Sequence, residues 1–285
     1  MEENKGLDQF NGASKAKYDC LLFDLDDTFY PFSSGMSVQI GKKVIEYMIQ
    51  KIDGIEDVAK ASELCVALYK TYGTVLAGLK AFGHDFDNED FNSFVHETLP
   101  YDDILKPDPV LKEILQSLPI RKIIFTNADN GHAVRVLRRL GLEECFERII
   151  DFDTLNSSND NNMDPTHHDY QHGIIDHESK PAVTSRICDF DEYMKNPYSS
   201  DKDMVLPRTP VVCKPFEYAF QKLFKIANIN PQRTLFFDDS IRNLLMAKSF
   251  GIHTVAVGTC METAGVDHTL KSIHDIRKAF PELWE

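Results

Sequence analysis

Five short apolar runs recur along this chain: Cys20-Leu21-Leu22-Phe23, Lys122-Ile123-Ile124-Phe125, Arg148-Ile149-Ile150, Thr234-Leu235-Phe236-Phe237 and Thr254-Val255-Ala256-Val257. Such runs carry no polar alternation, as expected of strands buried on both faces of a parallel sheet. Helical patterns fall between them. Val134, Leu137 and Leu140 repeat at helical spacing and stop at Gly141, a residue suited to the left-handed end of a helix. Phe216, Phe220, Leu223, Phe224 and Ala227 form a stripe behind Pro215, which fits a first helical position, and Ile241, Leu244 and Leu245 run on to Gly251. Strands alternating with helices predict an α/β chain built on a doubly wound parallel sheet. Ligands of such sheets bind beyond the carboxyl ends of the strands, so the residues at the ends of the runs carry the functional reading.

Those residues are Asp24-Leu25-Asp26-Asp27-Thr28, Phe125-Thr126-Asn127 and Asp238-Asp239, joined by Lys214-Pro215 at the start of a helical stripe. Together they supply what phosphoryl hydrolysis needs. A phosphomonoester dianion repels carboxylates, so a nucleophilic Asp requires a cation at the same place, and Mg²⁺ suits an all-oxygen site shared with phosphate. Asp24 is the expected nucleophile, forming an aspartyl phosphate. Asp26, two residues on, points the same way by strand geometry and is the expected proton donor and acceptor. Asp24 and Asp238 each offer the metal one oxygen, the backbone carbonyl of Asp26 a third, and Asp239 ligates directly or through water. The Thr126 hydroxyl and the Asn127 N–H are placed to hold phosphoryl oxygens, and Lys214 beside a helix start provides fixed positive charge. Each block alone has a plainer reading: acidic residues turn chains, a Thr at a strand end is commonly structural, and a Lys before a Pro is commonly exposed. Two acid pairs at the ends of different strands, converging on one crevice, outweigh those readings.

A chain of 285 residues with 42% hydrophobic residues accommodates one α/β domain and a smaller module. Residues 18–32 and 107–285 are assigned to the core, after a polar tail at 1–17. Residues 33–106 are too long for one crossover and carry their own helical patterns, so they are read as an inserted helical bundle: a lid over the site in the functional reading, a helical elaboration of the core with no gating role in the plainer one. Residues 155–210 are polar, and a mobile surface insertion with one short helix near Asp189 to Met194 is expected there. His167, His168, His172 and His177 inside it match no zinc spacing and are read as solvated. The formal charge of -14 opposes partnership with nucleic acid or an anionic membrane, while leaving a small anionic substrate open. Six scattered cysteines without a C-x-x-C, and the lack of a signal-like or membrane-spanning apolar stretch, lead to the expectation of a cytoplasmic protein.

In order and interval, Asp24 to Thr28, Thr126, Lys214 and Asp238-Asp239 resemble the four motifs of the haloacid dehalogenase-like hydrolase superfamily. Asp26-Asp27-Thr28-Phe29-Tyr30-Pro31, Tyr72-Gly73-Thr74, Thr126-Asn127-Ala128 and Phe237-Asp238-Asp239-Ser240-Ile241-Arg242-Asn243 are similar to its pyrimidine 5'-nucleotidase subgroup of plants and fungi. The resemblance implies a Rossmann-like core, a helical cap of the first type, Mg²⁺ dependence and phosphatase activity, with Asp26 favouring phosphate over halide. Two departures stand out: Phe29 where Leu is usual, and the length of the 155–210 segment. A small phosphorylated metabolite is the expected partner, a nucleoside monophosphate first. Tyr30, Tyr69, Tyr72, Thr74, Asp129 and His132 are the candidate specificity residues, with cap packing the rival role for Tyr69 and Tyr72 and a structural one for His132. The competing functions are a phosphatase of sugar, lipid or other small phosphates, a phosphoryl-transfer mutase, and a non-catalytic sensor of a phosphorylated ligand.

Overall fold

The computed structural model describes residues 17–157, 186–199 and 204–285. Strands β1 (Cys20–Phe23), β2 (Arg121–Phe125), β3 (Arg148–Ile150), β4 (Arg186–Ile187), β5 (Met204–Val205), β6 (Thr234–Asp238), β7 (His253–Val257) and β8 (His268–Leu270) form two sheets. The main one has six strands in the order β3-β2-β1-β6-β7-β8, every pair parallel, and β4 pairs with β5 apart from it. Helices α1 (Met36–Lys51), α2 (Val58–Tyr72), α3 (Val75–Ala81), α4 (Asn88–His96), α5 (Tyr101–Ile104) and α6 (Pro109–Ser117) lie between β1 and β2. Then follow α7 (Asn130–Leu140), α8 (Phe152–Asn156), α9 (Phe190–Lys195), α10 (Glu217–Ala227), α11 (Ile241–Ser249) and α12 (Ile276–Ala279).

Period-two geometry divides each strand between two cores. Leu21 and Phe23 join Ile124, Phe237 and Val255 beneath α6 and α7, whereas Cys20 and Leu22 join Ile123, Phe125 and Phe236 beneath α8, α10 and α11. Each fully buried side chain of this kind is worth roughly 1.5–3 kcal/mol, and both faces contribute. All five apolar runs are strands of this sheet. The sixth strand, β8, reads His268-Thr269-Leu270 with a single apolar residue, so no apolar run marked it. Gly141 ends α7 in the left-handed region as expected, with φ 74°. Pro215 does not begin a helix: Lys214 and Pro215 form a turn, and α10 starts at Glu217 behind its N-cap Phe216.

A third core lies off the sheet and is built by α1 to α4, where Tyr47 meets Phe91 and Phe94 edge to face at 4.8 and 5.3 Å. The described part of the 155–210 segment beyond residue 185 packs onto it, while Leu155 at its other end joins the sheet core. Tyr193 of α9 packs against Phe82 with ring centres 4.8 Å apart and shares a hydrogen bond with Thr71, while Thr209 donates to the Ala77 carbonyl at 2.7 Å. The polar composition of the segment hid these few apolar contacts, although the short helix expected there is α9. The four histidines at 167, 168, 172 and 177 and the tail up to residue 16 lie outside the described residues. Among the described residues, no helix is long and apolar enough to cross a membrane.

Candidate active site

Asp24 follows β1, Thr126 follows β2 and Asp238 closes β6, and the register of these neighbouring strands puts all three at one edge. Asp24 is fixed at its backbone by an N–H bond to the Phe237 carbonyl at 2.8 Å. Lys214, only 1% exposed, enters from the loop before α10 and places its ammonium between the acids. It donates to Asp24 Oδ1 at 2.6 Å, to Asp238 Oδ2 at 2.9 Å and to the Phe125 carbonyl at 2.7 Å. A Lys ammonium has three protons to give, and all three are used. Burial alone would pull its pKa down, but Asp238 and Asp24 outweigh that and raise it.

The remaining polar groups fix this cluster in place. Asp238 Oδ1 accepts from the Ser240 N–H at 2.7 Å, and the Asn243 amide reaches both Asp238 oxygens at 3.0 Å. Asn127 grips the backbone of Lys214 at two points, accepting from its N–H at 2.8 Å and donating to its carbonyl at 2.9 Å. Gly73 is required beside it: φ is 81°, and a Cβ there would stand 2.1 Å from the Lys214 carbonyl oxygen. Thr28 donates to Asp24 Oδ2 at 3.3 Å, and the Thr126 hydroxyl accepts from the Ala128 N–H at 3.1 Å, so its own proton is left to donate elsewhere.

The acids are crowded. Burial, then the charge of Asp238, pushes the Asp24 carboxyl up to about 7 despite Lys214. Asp239 opens to solvent on one side, yet partial burial and the charges of Asp238 and Asp24 push it up to about 9. Asp24, Asp238 and Asp239 each present an oxygen within 4.8 Å of the others. Three hard oxygen donors that repel one another are a fitting site for a hard divalent cation. Asp26 behaves oppositely. Burial would raise it, but His132, donating from Nε2 to Oδ1 at 2.8 Å, and Tyr30, donating to the same oxygen, hold it at about 2.

The structure thus brings Asp24, Asp26, Thr126, Asn127, Lys214, Asp238 and Asp239 together. It divides the specificity candidates. Tyr72 is buried, packs on Phe82 and donates to the Pro207 carbonyl, and Thr74 caps α3 through the Ala77 N–H, so both belong to packing and helix initiation. Tyr30 and His132 are spent on Asp26. Asp129 caps α7 through the His132 N–H and pairs with His96. Only Tyr69 remains 48% exposed, and partial burial of its phenol, then the charges of Asp239, Asp238 and Asp24, raise its pKa against the nearby Arg242. Asn243 and the side-chain role of Asn127 were not foreseen. The spacing of Asn243, five positions after Asp238 and one turn into α11, was the available signal.

Residues 18–175 match the family model of the haloacid dehalogenase-like hydrolases. The chain belongs to that family. Among curated proteins, this hydrolase is 29% identical over 135 residues to phosphate metabolism protein 8 of Saccharomyces cerevisiae, a match covering 45% of the chain and 41% of the yeast protein. It therefore spans under half the length of that relative. Its fold is similar to that of the Bacillus subtilis HAD-hydrolase YfnB, solved bound to magnesium, with 16% identity, a TM-score of 0.50, and coverage of 93% of this chain and 99% of that one. A haloacid dehalogenase-like hydrolase from Bacteroides fragilis gives 16% identity and a TM-score of 0.50 over 91% of this chain and 100% of that one. At such identity these two structures establish the hydrolase fold alone.

Proposed function

We propose that this hydrolase is a Mg²⁺-dependent phosphomonoesterase of small phosphorylated metabolites, with a nucleoside 5'-monophosphate as its leading substrate. One observation carries the reading: a buried Lys214 bridges Asp24 and Asp238 while Asp239 stands with them inside 4.8 Å. Asp24, Asp238 and Asp239, with the Asp26 carbonyl, are the residues that would hold the metal, which when bound neutralises phosphate charge and polarises its oxygens. Asp24 uses a carboxylate oxygen to attack phosphorus, and the ester P–O bond breaks. The leaving oxygen takes a proton from Asp26 and departs as an alcohol. Water then attacks the aspartyl phosphate, gives its proton to Asp26, and the bond between phosphorus and Asp24 breaks to return the carboxylate and inorganic phosphate. The resting Asp26, held as a carboxylate, is already suited to the second step and must gain a proton before the first. Thr126, Asn127 and Lys214 hold the phosphoryl oxygens and oppose the charge that develops on them.

Residues 33–106 act, in this reading, as a cap over the site. The seam supports it: Arg242 of α11 donates to the Tyr69 and Lys70 carbonyls at the end of α2, and its guanidinium lies 5.1 Å from the centre of the Tyr69 ring. An exposed aromatic face beside the acids favours a leaving group that stacks, which is why nucleotides come first. The test is a panel of nucleoside monophosphates, sugar phosphates and lysophospholipid phosphates assayed with Mg²⁺. Preferential release of phosphate from nucleotides is expected. A preference elsewhere in the panel would move the substrate, and no hydrolysis of any phosphomonoester would overturn the phosphatase reading.

A further inference from the structure

His132 lies at the start of α7, is 0% exposed, and has both ring nitrogens engaged. Nε2 reaches Asp26 Oδ1 at 2.8 Å across 106 residues of chain, and Nδ1 meets the Tyr101 hydroxyl at 2.8 Å. An ordinary core histidine is satisfied by whatever carbonyl lies nearby. Here the partner is the side chain assigned to proton transfer. Tyr30 converges on the same oxygen, so two donors from different elements fix Asp26 by Oδ1, and among the described residues none donates to Oδ2. A carboxyl pinned at one oxygen keeps the other for the reacting proton, and general acid catalysis depends steeply on such placement.

The inserted helices reach this pair. His96, the last residue of α4, binds Asp129, which caps the His132 N–H at 3.0 Å, and the rings of His96 and His132 lie 4.5 Å apart. The Tyr101 hydroxyl links the two residues, donating to the His96 carbonyl at 3.1 Å and meeting His132 Nδ1. We propose that His132 is a positioning residue for Asp26 and that His96, acting through Asp129 and Tyr101, makes the seating of the inserted helices a condition for Asp26 to be aligned. The proposal rests on the assignment of Asp26 as the acid of the first step. It concerns where the carboxyl is held, so its effect should scale with how much help the leaving group needs.

The experiment compares kcat/KM with Mg²⁺ for an alkyl phosphate, whose alkoxide needs a proton, and para-nitrophenyl phosphate, whose phenolate needs little. Because kcat/KM reports the steps through aspartyl phosphate formation, and because the ratio of two substrates is taken on one sample, a partly folded variant does not distort it. Asp26→Asn should lower the alkyl-to-aryl ratio by about 100-fold, the size of a general acid contribution. His132→Leu should lower it by about 10-fold or more, His132→Gln, which returns a donor near Nε2, should recover part of that, and His96→Ala should shift it in the same direction by less. If Asp26→Asn changes the ratio while both histidine variants match the wild type, the histidines are structural and this inference fails alone. If Asp26→Asn also leaves the ratio unchanged, the assignment of Asp26 fails and the inference with it.

Discussion

A single buried ammonium holds two carboxylates that would otherwise force each other apart, and most residue-scale consequences follow from that. Replacing Lys214 by Met leaves Asp24 and Asp238 facing without their cation. Removing one partner of a buried charged group costs about 3–5 kcal/mol, so denaturant unfolding should show a loss of that order, with turnover falling about 100-fold or more. Asp24→Asn relieves crowding instead of creating it, since that carboxyl is already pushed up to about 7 by burial and Asp238. The variant should unfold no more easily than the wild type and show no turnover. Gly73→Ala combines a positive φ with a Cβ 2.1 Å from the Lys214 carbonyl, so it should lower both the melting temperature and activity although it touches no reacting atom. The acids, Thr126 and Lys214 were legible in the sequence because each follows or faces the end of a strand. Tyr72 and Thr74 were candidates for substrate contact, with cap packing the rival role for Tyr72; Tyr72 is packed on Phe82 and Thr74 starts α3. Sequence spacing gives a face and a period, and it does not say which neighbour has already claimed the side chain.

At the scale of elements, the parallel strands announced themselves as apolar runs, and β8 did not because His268-Thr269-Leu270 holds a single apolar residue. What secures that edge is polar. Asp267, just ahead of β8, accepts from Lys248 of α11 at 2.6 Å and from the N–H and hydroxyl of Thr254 in β7, both at 3.0 Å. Burial alone would raise its carboxyl, but the bonds from Lys248 and Thr254 prevail and hold it below the ordinary carboxylate range. A depressed folded-state pKa gives stability that is present above the unfolded value of about 3.9 and is lost as pH falls through the folded one. The unfolding free energy of the wild type should therefore exceed that of Asp267→Asn near neutral pH, with the gap closing below about pH 4. A gap that stays constant to acid would show that Asp267 contributes packing alone. The helix starts were partly readable too, but the contact of His132 with Asp26 joins two elements separated by 106 positions, and no local pattern encodes it.

Across the whole molecule, the described residues form three cores, one on each face of the sheet and one among the inserted helices. The alternation of strands and helices made the first two predictable, and the excess length between β1 and β2 made the third predictable. The packing of α9 onto the inserted helices was not, because three or four apolar residues in a polar segment set up no periodicity. A ligand that binds only the folded acids stabilises the fold by mass action, so Mg²⁺ at about 100 times its dissociation constant should add roughly 2.7 kcal/mol. That increment should vanish in Asp238→Ala. The most direct test of the account is rapid acid quench of the enzyme turning over a phosphomonoester labelled with ³²P at phosphorus, followed by peptide mapping. A hydroxylamine-sensitive label is expected on the peptide bearing Asp24, dependent on Mg²⁺ and absent from Asp24→Asn. Steady turnover without any label on that peptide, or with the label on another residue, would contradict it.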